Sequence, residues 1–223
     1  MNQKWQQILT RICDRTHLVT LPAPRRFNPL DRACRARTDA AANEVHFYRM
    51  RVFGIDCGTE VTGFGVVDSD DGGSIPRLVS KTLGAIKLPK SKPLTERLDQ
   101  VFRELTAELE RWRPDAVAIE EVFYSVNAKS ALKLGQVRGV ALLAAARQAI
   151  PVAEYAPLKI KSSVVGYGMA SKEQVQFMVA RLLSLNELPQ PADAADALAI
   201  AICHIHTSQT LAAQRQTAQG AAR

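Results

Sequence analysis

From Met50 onward the chain alternates short apolar runs with amphipathic stretches. Arg51–Asp56 is a brief apolar strand pattern that ends in a carboxylate, and Gly63–Asp68 and Leu78–Leu83 repeat the strand pattern. Gly58 and the Gly72–Gly73 pair mark turns between them, so the three runs predict an antiparallel meander. The periodicity then changes. Leu94, Leu98, Val101, Phe102, Leu105 and Leu109 recur at three- and four-residue spacing, which predicts an amphipathic helix over Leu94–Trp112, ended by Pro114. Ala116–Glu121 follows as a buried strand, Asn127–Ala149 as a long alanine- and leucine-rich helix, and Pro151–Tyr155 as another strand. Lys159–Val165 reads as a short helix, Lys172–Leu185 as a helix capped by Ser171, and Asp193–His206 as the last helix. Beyond Thr207 the chain is polar and alanine-rich, and fraying is expected. Three strands followed by alternating helix and strand predict an α/β fold with a mixed sheet.

The first 49 residues do not share this pattern. They carry Pro22, Pro24 and Pro29 with arginines at 25, 26, 32, 35 and 37, and show weak periodicity. Of the formal net charge of +7, +5 falls in this segment. It reads as a basic extension, disordered or lying upstream of a start at Met50. Residues 50–208 then form the folded domain and 209–223 a flexible tail. An overall basic balance suits a polyanionic partner without naming one. Four scattered cysteines, Cys13, Cys34, Cys57 and Cys203, form no C-x-x-C pair and no disulfide framework. With no secretory leader and no apolar run of membrane-spanning length, a cytoplasmic location is expected.

The candidate chemistry lies in the acids. Asp56 and Glu120 each end an apolar strand, where a charge is tolerated if a cleft or a cation meets it. On a strand, Glu120 and Glu121 point to opposite faces, so one could enter such a cleft while the other caps or meets solvent. Asp193 and Asp196 are three residues apart at the start of a helix and share one face of it, flanked by alanines that allow close backbone packing. Were these four carboxylates to converge, their repulsion would demand divalent cations, and an oxygen-only donor set suits Mg²⁺ or Mn²⁺. Two such ions can clamp a phosphodiester for in-line attack by water. Spacing alone does not establish convergence; strand-end solvation and helix capping are the alternatives.

The segments Gly54-Ile55-Asp56-Cys57-Gly58-Thr59, Val61–Val66, Ala118–Phe123, Asn127–Val140, Val164–Gly166 and Ala192–Ala201 occur in an order that resembles the RuvC family of bacterial Holliday-junction resolvases. The long Asn127–Val140 segment is the most specific of these. The resemblance implies an RNase H-like fold: a mixed five-stranded sheet, with a meander of three strands plus two parallel strands, flanked by helices. It implies a homodimer that cuts two opposed strands of a four-way junction. It assigns Asp56, Glu120, Asp193 and Asp196 to two Mg²⁺ ions per subunit, replaceable by Mn²⁺. Lys161 and Lys172 match family lysines needed for activity, and ammonium groups there would hold phosphates. Phe123 matches an aromatic at the junction centre, suited to stacking on a base. Lys129, Lys133 and Arg138 are expected to border the DNA, and Gly135 and Gly139 to permit close packing of this helix in a dimer. The RuvA–RuvB branch-migration complex is the implied partner. Cys57 departs from the family's usual proline and Glu60 from a basic residue. His204 and His206 lack ligand-like spacing and are expected to be structural.

Three rivals remain at this stage. Asp-x-Gly-Thr is shared with other RNase H-like nucleases of the YqgF type. It is also shared with sugar-kinase and actin-like ATPases, whose two lobes need more chain than follows Met50. A non-catalytic junction-binding protein would not need four acids facing phosphates.

Overall fold

The computed structural model describes residues 49–70, 77–121 and 128–221. A five-stranded sheet runs in the order β3-β2-β1-β4-β5, with β1 Met50–Asp56, β2 Val61–Asp70, β3 Arg77–Lys87, β4 Ala116–Glu120 and β5 Val152–Tyr155. β1, β2 and β3 form the antiparallel meander, and β4 and β5 extend the sheet in parallel with β1. Parallel neighbours need crossovers. Helix α1 (Leu94–Trp112) leads into β4, and α2 (Ala128–Arg147) joins β4 to β5. Helices α3 (Pro157–Val165), α4 (Lys172–Leu182) and α5 (Ala192–Ala221) follow.

Strand alternation sorts the core into two layers. Phe53, Ile55, Val66, Val117 and Ile119 point to one face and pack with Val101, Leu105 and Leu109 of α1 and Val137, Ala141, Ala144 and Ala145 of α2. Val52, Val67 and Ala118 point to the other face and pack with Ile160 of α3, Val175 and Val179 of α4, and Leu198–Ile202 of α5. α5 lies unusually close to the sheet. A Cβ at Gly54 would come within 2.0 Å of the Ala197 carbonyl oxygen, and one at Gly63 within 2.0 Å of the Asp193 carbonyl oxygen. Only glycine leaves the strands flat enough for that approach.

The expected elements are present, with shifted ends. α1 stops at Arg113, which adopts a left-handed conformation and donates its N–H to the Leu109 carbonyl before Pro114. Ser171 caps α4 through a reciprocal capping box with Gln174. β3 is longer than the expected Leu78–Leu83. It runs on through Gly84, a residue that weakens a strand pattern, to Lys87, where Gly84–Lys87 pair with Val61–Phe64 of β2. The last helix continues past His206 to Ala221, where fraying was expected from Thr207. Alanine and glutamine sustain helix in this stretch, and no proline interrupts it. Among the described residues no helix is long and apolar enough to cross a membrane.

Candidate functional site

The alternation that builds the core also aims the acids. In β1, Val52 and Gly54 face α5, so Asp56 does too. In β4, Ala118 faces the same side, and so does Glu120. The parallel register pairs Gly54 with Ala118 and Ile55 with Ile119, which puts Asp56 and Glu120 side by side at the carboxyl ends of adjacent strands. Gly63 is the register partner of Asp56 in β2, and the first turn of α5 rests on Gly63 at Asp193. Asp196 follows one turn later. Two strand ends and one helix start thus bring Asp56, Glu120 and Asp196 to one cleft, with Asp193 one turn before Asp196.

A cavity of about 190 Å³ opens there, lined by Asp56, Glu120, Asp196, Lys161 and Lys172, with Ile160, Val175 and Ile200 as apolar wall. Asp193 stands at its edge, close enough to act electrostatically on both Asp56 and Lys172. Burial, then the charges of Asp196, Glu120 and Asp193, push the Asp56 carboxyl up to about 7. Burial and Asp196 raise Glu120 as well, with Lys161 and Lys172 opposing. The Lys172 ammonium lies 2.6 Å from an Asp196 oxygen, and that hydrogen bond raises its own pKa. Two ammonium groups, Lys161 and Lys172, leave the acids short of positive charge. Among the described residues no three acid, histidine or cysteine side chains stand close enough together in this structure to hold a metal ion. Like charges short of counter-ions are expected to stand apart in this way. The donor chemistry fits a hard divalent cation: oxygen ligands only, excess negative charge, and a lysine already acting as partial counter-ion.

The other sequence candidates fall in different places. Lys161 lines the cavity from α3 and Lys172 from the start of α4. Lys129 and Lys133 are exposed on the first turns of α2. Arg138 is mostly buried and engaged: its Nε donates to the Glu120 carbonyl oxygen at 3.2 Å, and its guanidinium pairs with Glu154 of β5. It braces the end of β4 beneath Glu120, a role that sequence spacing had not indicated. Phe123 and Asn127 lie outside the described residues. Cys57 points away from the acids into the α1–α2 layer, and burial beside Asp56 pushes its thiol up to about 12, so it remains neutral. Glu60 pairs with Lys90 at 2.7 Å. His204 meets the Tyr155 hydroxyl at 2.8 Å and His206 the Ser163 carbonyl oxygen at 3.0 Å, both structural contacts away from the acids.

The family model for RuvC, crossover junction endodeoxyribonuclease, matches residues 52–204. The chain belongs to the RuvC family. It is 64% identical over 169 residues to the RuvC of Acidobacterium capsulatum, a match spanning 74% of this chain and 99% of that one. It is 60% identical over 162 residues to the RuvC of Koribacter versatilis, spanning 73% and 96%. The fold superposes on the Thermus thermophilus RuvC structure with a TM-score of 0.68 at 36% identity, covering 73% of this chain and 98% of that one. A second structure of the Thermus thermophilus RuvC, in complex with a Holliday junction substrate, matches with a TM-score of 0.66 at 33% identity, covering 72% and 96%. RuvC membership sets aside the YqgF-type and ATPase-like readings of Asp-x-Gly-Thr.

Proposed function

We propose that this chain is a structure-selective endonuclease that resolves Holliday junctions in recombination and repair, cutting two opposed strands by metal-dependent hydrolysis. The observation that supports this reading is the cleft lined by Asp56, Glu120, Asp196, Lys161 and Lys172, with Asp193 near enough to act electrostatically on Asp56 and Lys172. Four acids facing a phosphate backbone would repel it. Their presence suits hydrolysis better than mere junction binding.

Asp56, Glu120, Asp193 and Asp196 would hold two Mg²⁺ ions per subunit, with Mn²⁺ as a substitute. When bound, such ions supply Lewis acidity to the attacking water and the scissile phosphate. The protein's own groups do the rest. The glycine-backed packing of α5 fixes where Asp193 and Asp196 stand. Arg138 holds the end of β4 and hence Glu120. Lys161 and Lys172 take phosphate oxygens, Lys172 by exchanging Asp196 for the substrate. Lys129, Lys133 and Phe123 extend the contact toward the junction centre, and Arg138 adds positive potential beneath the site.

Symmetric cutting calls for a homodimer. The outer face of α2 supports one: Leu132 and Leu143 are exposed, and Gly135 and Gly139 have open space where a side chain would be, as a closely packed partner helix requires. The RuvA–RuvB complex is the proposed partner in branch migration, and the cytoplasm the proposed location. The test is cleavage of a strand-labelled synthetic four-way junction with Mg²⁺ and with EDTA. Paired nicks in opposed strands with Mg²⁺ alone are expected. Cleavage of linear duplex at the same rate, or none by folded dimer on several mobile junctions, would remove the reading.

A further inference from the structure

Between Lys161 and Lys172 the chain makes a short turn that none of the above uses. α3 ends at Gly166, in a left-handed conformation with φ 82°, whose N–H reaches the Ser162 carbonyl oxygen. The Ala170 N–H closes on the Tyr167 carbonyl oxygen at 3.3 Å, Ala170 is buried, and the Ser171 capping box starts α4. The turn is therefore pinned at both ends. It also folds back on α3: a Cβ at Gly168 would stand 3.4 Å from the Leu158 carbonyl oxygen and 3.7 Å from its Cδ2. Leu158 and Lys161 are three residues apart on α3 and share a face.

The turn presents apolar side chains to solvent. Tyr167 is 61% exposed, Met169 72% and Leu158 60%. A rigid mount for exposed apolar groups, bracketed by two ammonium groups that line an acid-rich cleft, has the layout of a nucleotide platform. The cations take the backbone, and the ring and thioether take the flat face of a base or sugar. A partner protein would not need the flanking lysines.

We propose that Tyr167, with Met169 beside it, stacks on a nucleotide of the strand being cut, next to the phosphate held by Lys161 and Lys172. The contact selects strands whose bases can leave the stack, which a junction centre offers and an intact duplex does not. This rests on the resolvase reading above and adds a substrate contact to it.

The test uses the full chain and a four-way junction carrying 2-aminopurine beside the cut phosphodiester. Binding is followed by fluorescence with Ca²⁺ in place of Mg²⁺, and cleavage is timed with Mg²⁺. Wild type is expected to change the 2-aminopurine signal on binding. Tyr167→Ala is expected to lose that change and to cut about 10-fold more slowly, the scale of one lost base–aromatic stack. Its junction affinity should fall less than about 3-fold, because phosphate contacts dominate affinity. Tyr167→Phe should keep both signal and rate. Because Tyr167 is exposed, these variants should melt as wild type does. An unchanged signal and rate in the Tyr167→Ala/Met169→Ala double variant would overturn the platform while wild-type cleavage upheld the resolvase reading. Wild type that neither bound nor cut junctions would overturn both.

Discussion

The two faces of the sheet are built on opposite principles. Toward α1 and α2 the strands present Phe53, Ile55 and Ile119, and the gap is filled by Leu105, Leu109 and other large side chains. Toward α5 they present Gly54, Gly63 and Gly65; the α5 backbone at Asp193, Ala194, Ala197 and Ala201 sits on the first two, and the Leu198 side chain on the third. Bulk packing tolerates small shifts of one element against another. The backbone-on-strand packing at Gly54 and Gly63 does not, because no side chain there can move aside. The acids belong wholly to the second face. The proposed metal site, drawn from two strands and a helix, needs its parts fixed to within a fraction of an ångström. The close approach of α5 to Gly54 and Gly63 supplies that fixity, and both faces bury a substantial apolar cluster.

The contrast is broken most severely at Gly63. Gly63→Ala would drive a Cβ into the Asp193 carbonyl and force the first turn of α5 outward. Junction cleavage should fall by roughly 100-fold or more, the scale of an ångström's misplacement in an active site. Stability should fall by about 1–3 kcal/mol from overpacking. Cleavage kinetics and denaturant melts on the same preparation check both parts.

Leu105→Ala on the bulky face is the reciprocal experiment. It should cost about 2–5 kcal/mol by opening a cavity between α1 and the sheet. The molecules that remain folded should cut junctions within about 2-fold of wild type. A loss of activity as large as that of Gly63→Ala, in protein shown to be folded, would erase the distinction between the faces.

A smaller, pH-limited effect is expected at Asp56, whose carboxyl titrates near 7 in the metal-free protein. Between about pH 4 and pH 7 the unfolded chain has released this proton while the folded chain keeps it. Stability therefore falls as pH rises through that window and levels off above it. Asp56→Asn should remove the penalty, raising stability in EDTA by roughly 2–4 kcal/mol at pH 8 and by little near pH 4. Thermal melts at the two pH values measure it. The same variant should be inactive, which separates what the acid does for function from what it does to the fold.

The smallest effect is expected beneath α5, where the Tyr155 hydroxyl meets His204 at 2.8 Å. Burial lowers the His204 pKa, so the ring stays neutral and serves as a hydrogen-bond partner. Tyr155→Phe should cost about 1 kcal/mol and leave cleavage unchanged.

The bulky face was legible in the sequence because its signal is periodic. The leucines of α1 and the apolar runs of β1 and β4 announce both element type and inward side. The acids were legible as candidates through their positions at strand ends and a helix start. Their convergence was not, because it depends on the β1–β4 register and on the seating of α5. The alternation of Gly63 and Gly65 with apolar residues in β2, set beside an alanine-rich helix, was the available signal for that seating. Arg138 had no such signal: its bond to the Glu120 carbonyl joins α2 to β4 across the fold. The helix beyond Thr207 is hidden in the sequence because its polar, alanine-rich residues show no apolar stripe, yet alanine sustains helix without a core to face.

The central claim is that the tight face gathers four acids so that divalent cations can be held where a junction strand is cut. Its most direct test compares wild type with Asp193→Asn on a strand-labelled four-way junction, measuring binding and cleavage with Mg²⁺. The account predicts symmetric paired nicks from wild type, and from Asp193→Asn retained junction binding with cleavage reduced by at least about 1,000-fold. Near-wild-type cleavage by Asp193→Asn, or wild-type cleavage that persists in EDTA, would contradict it.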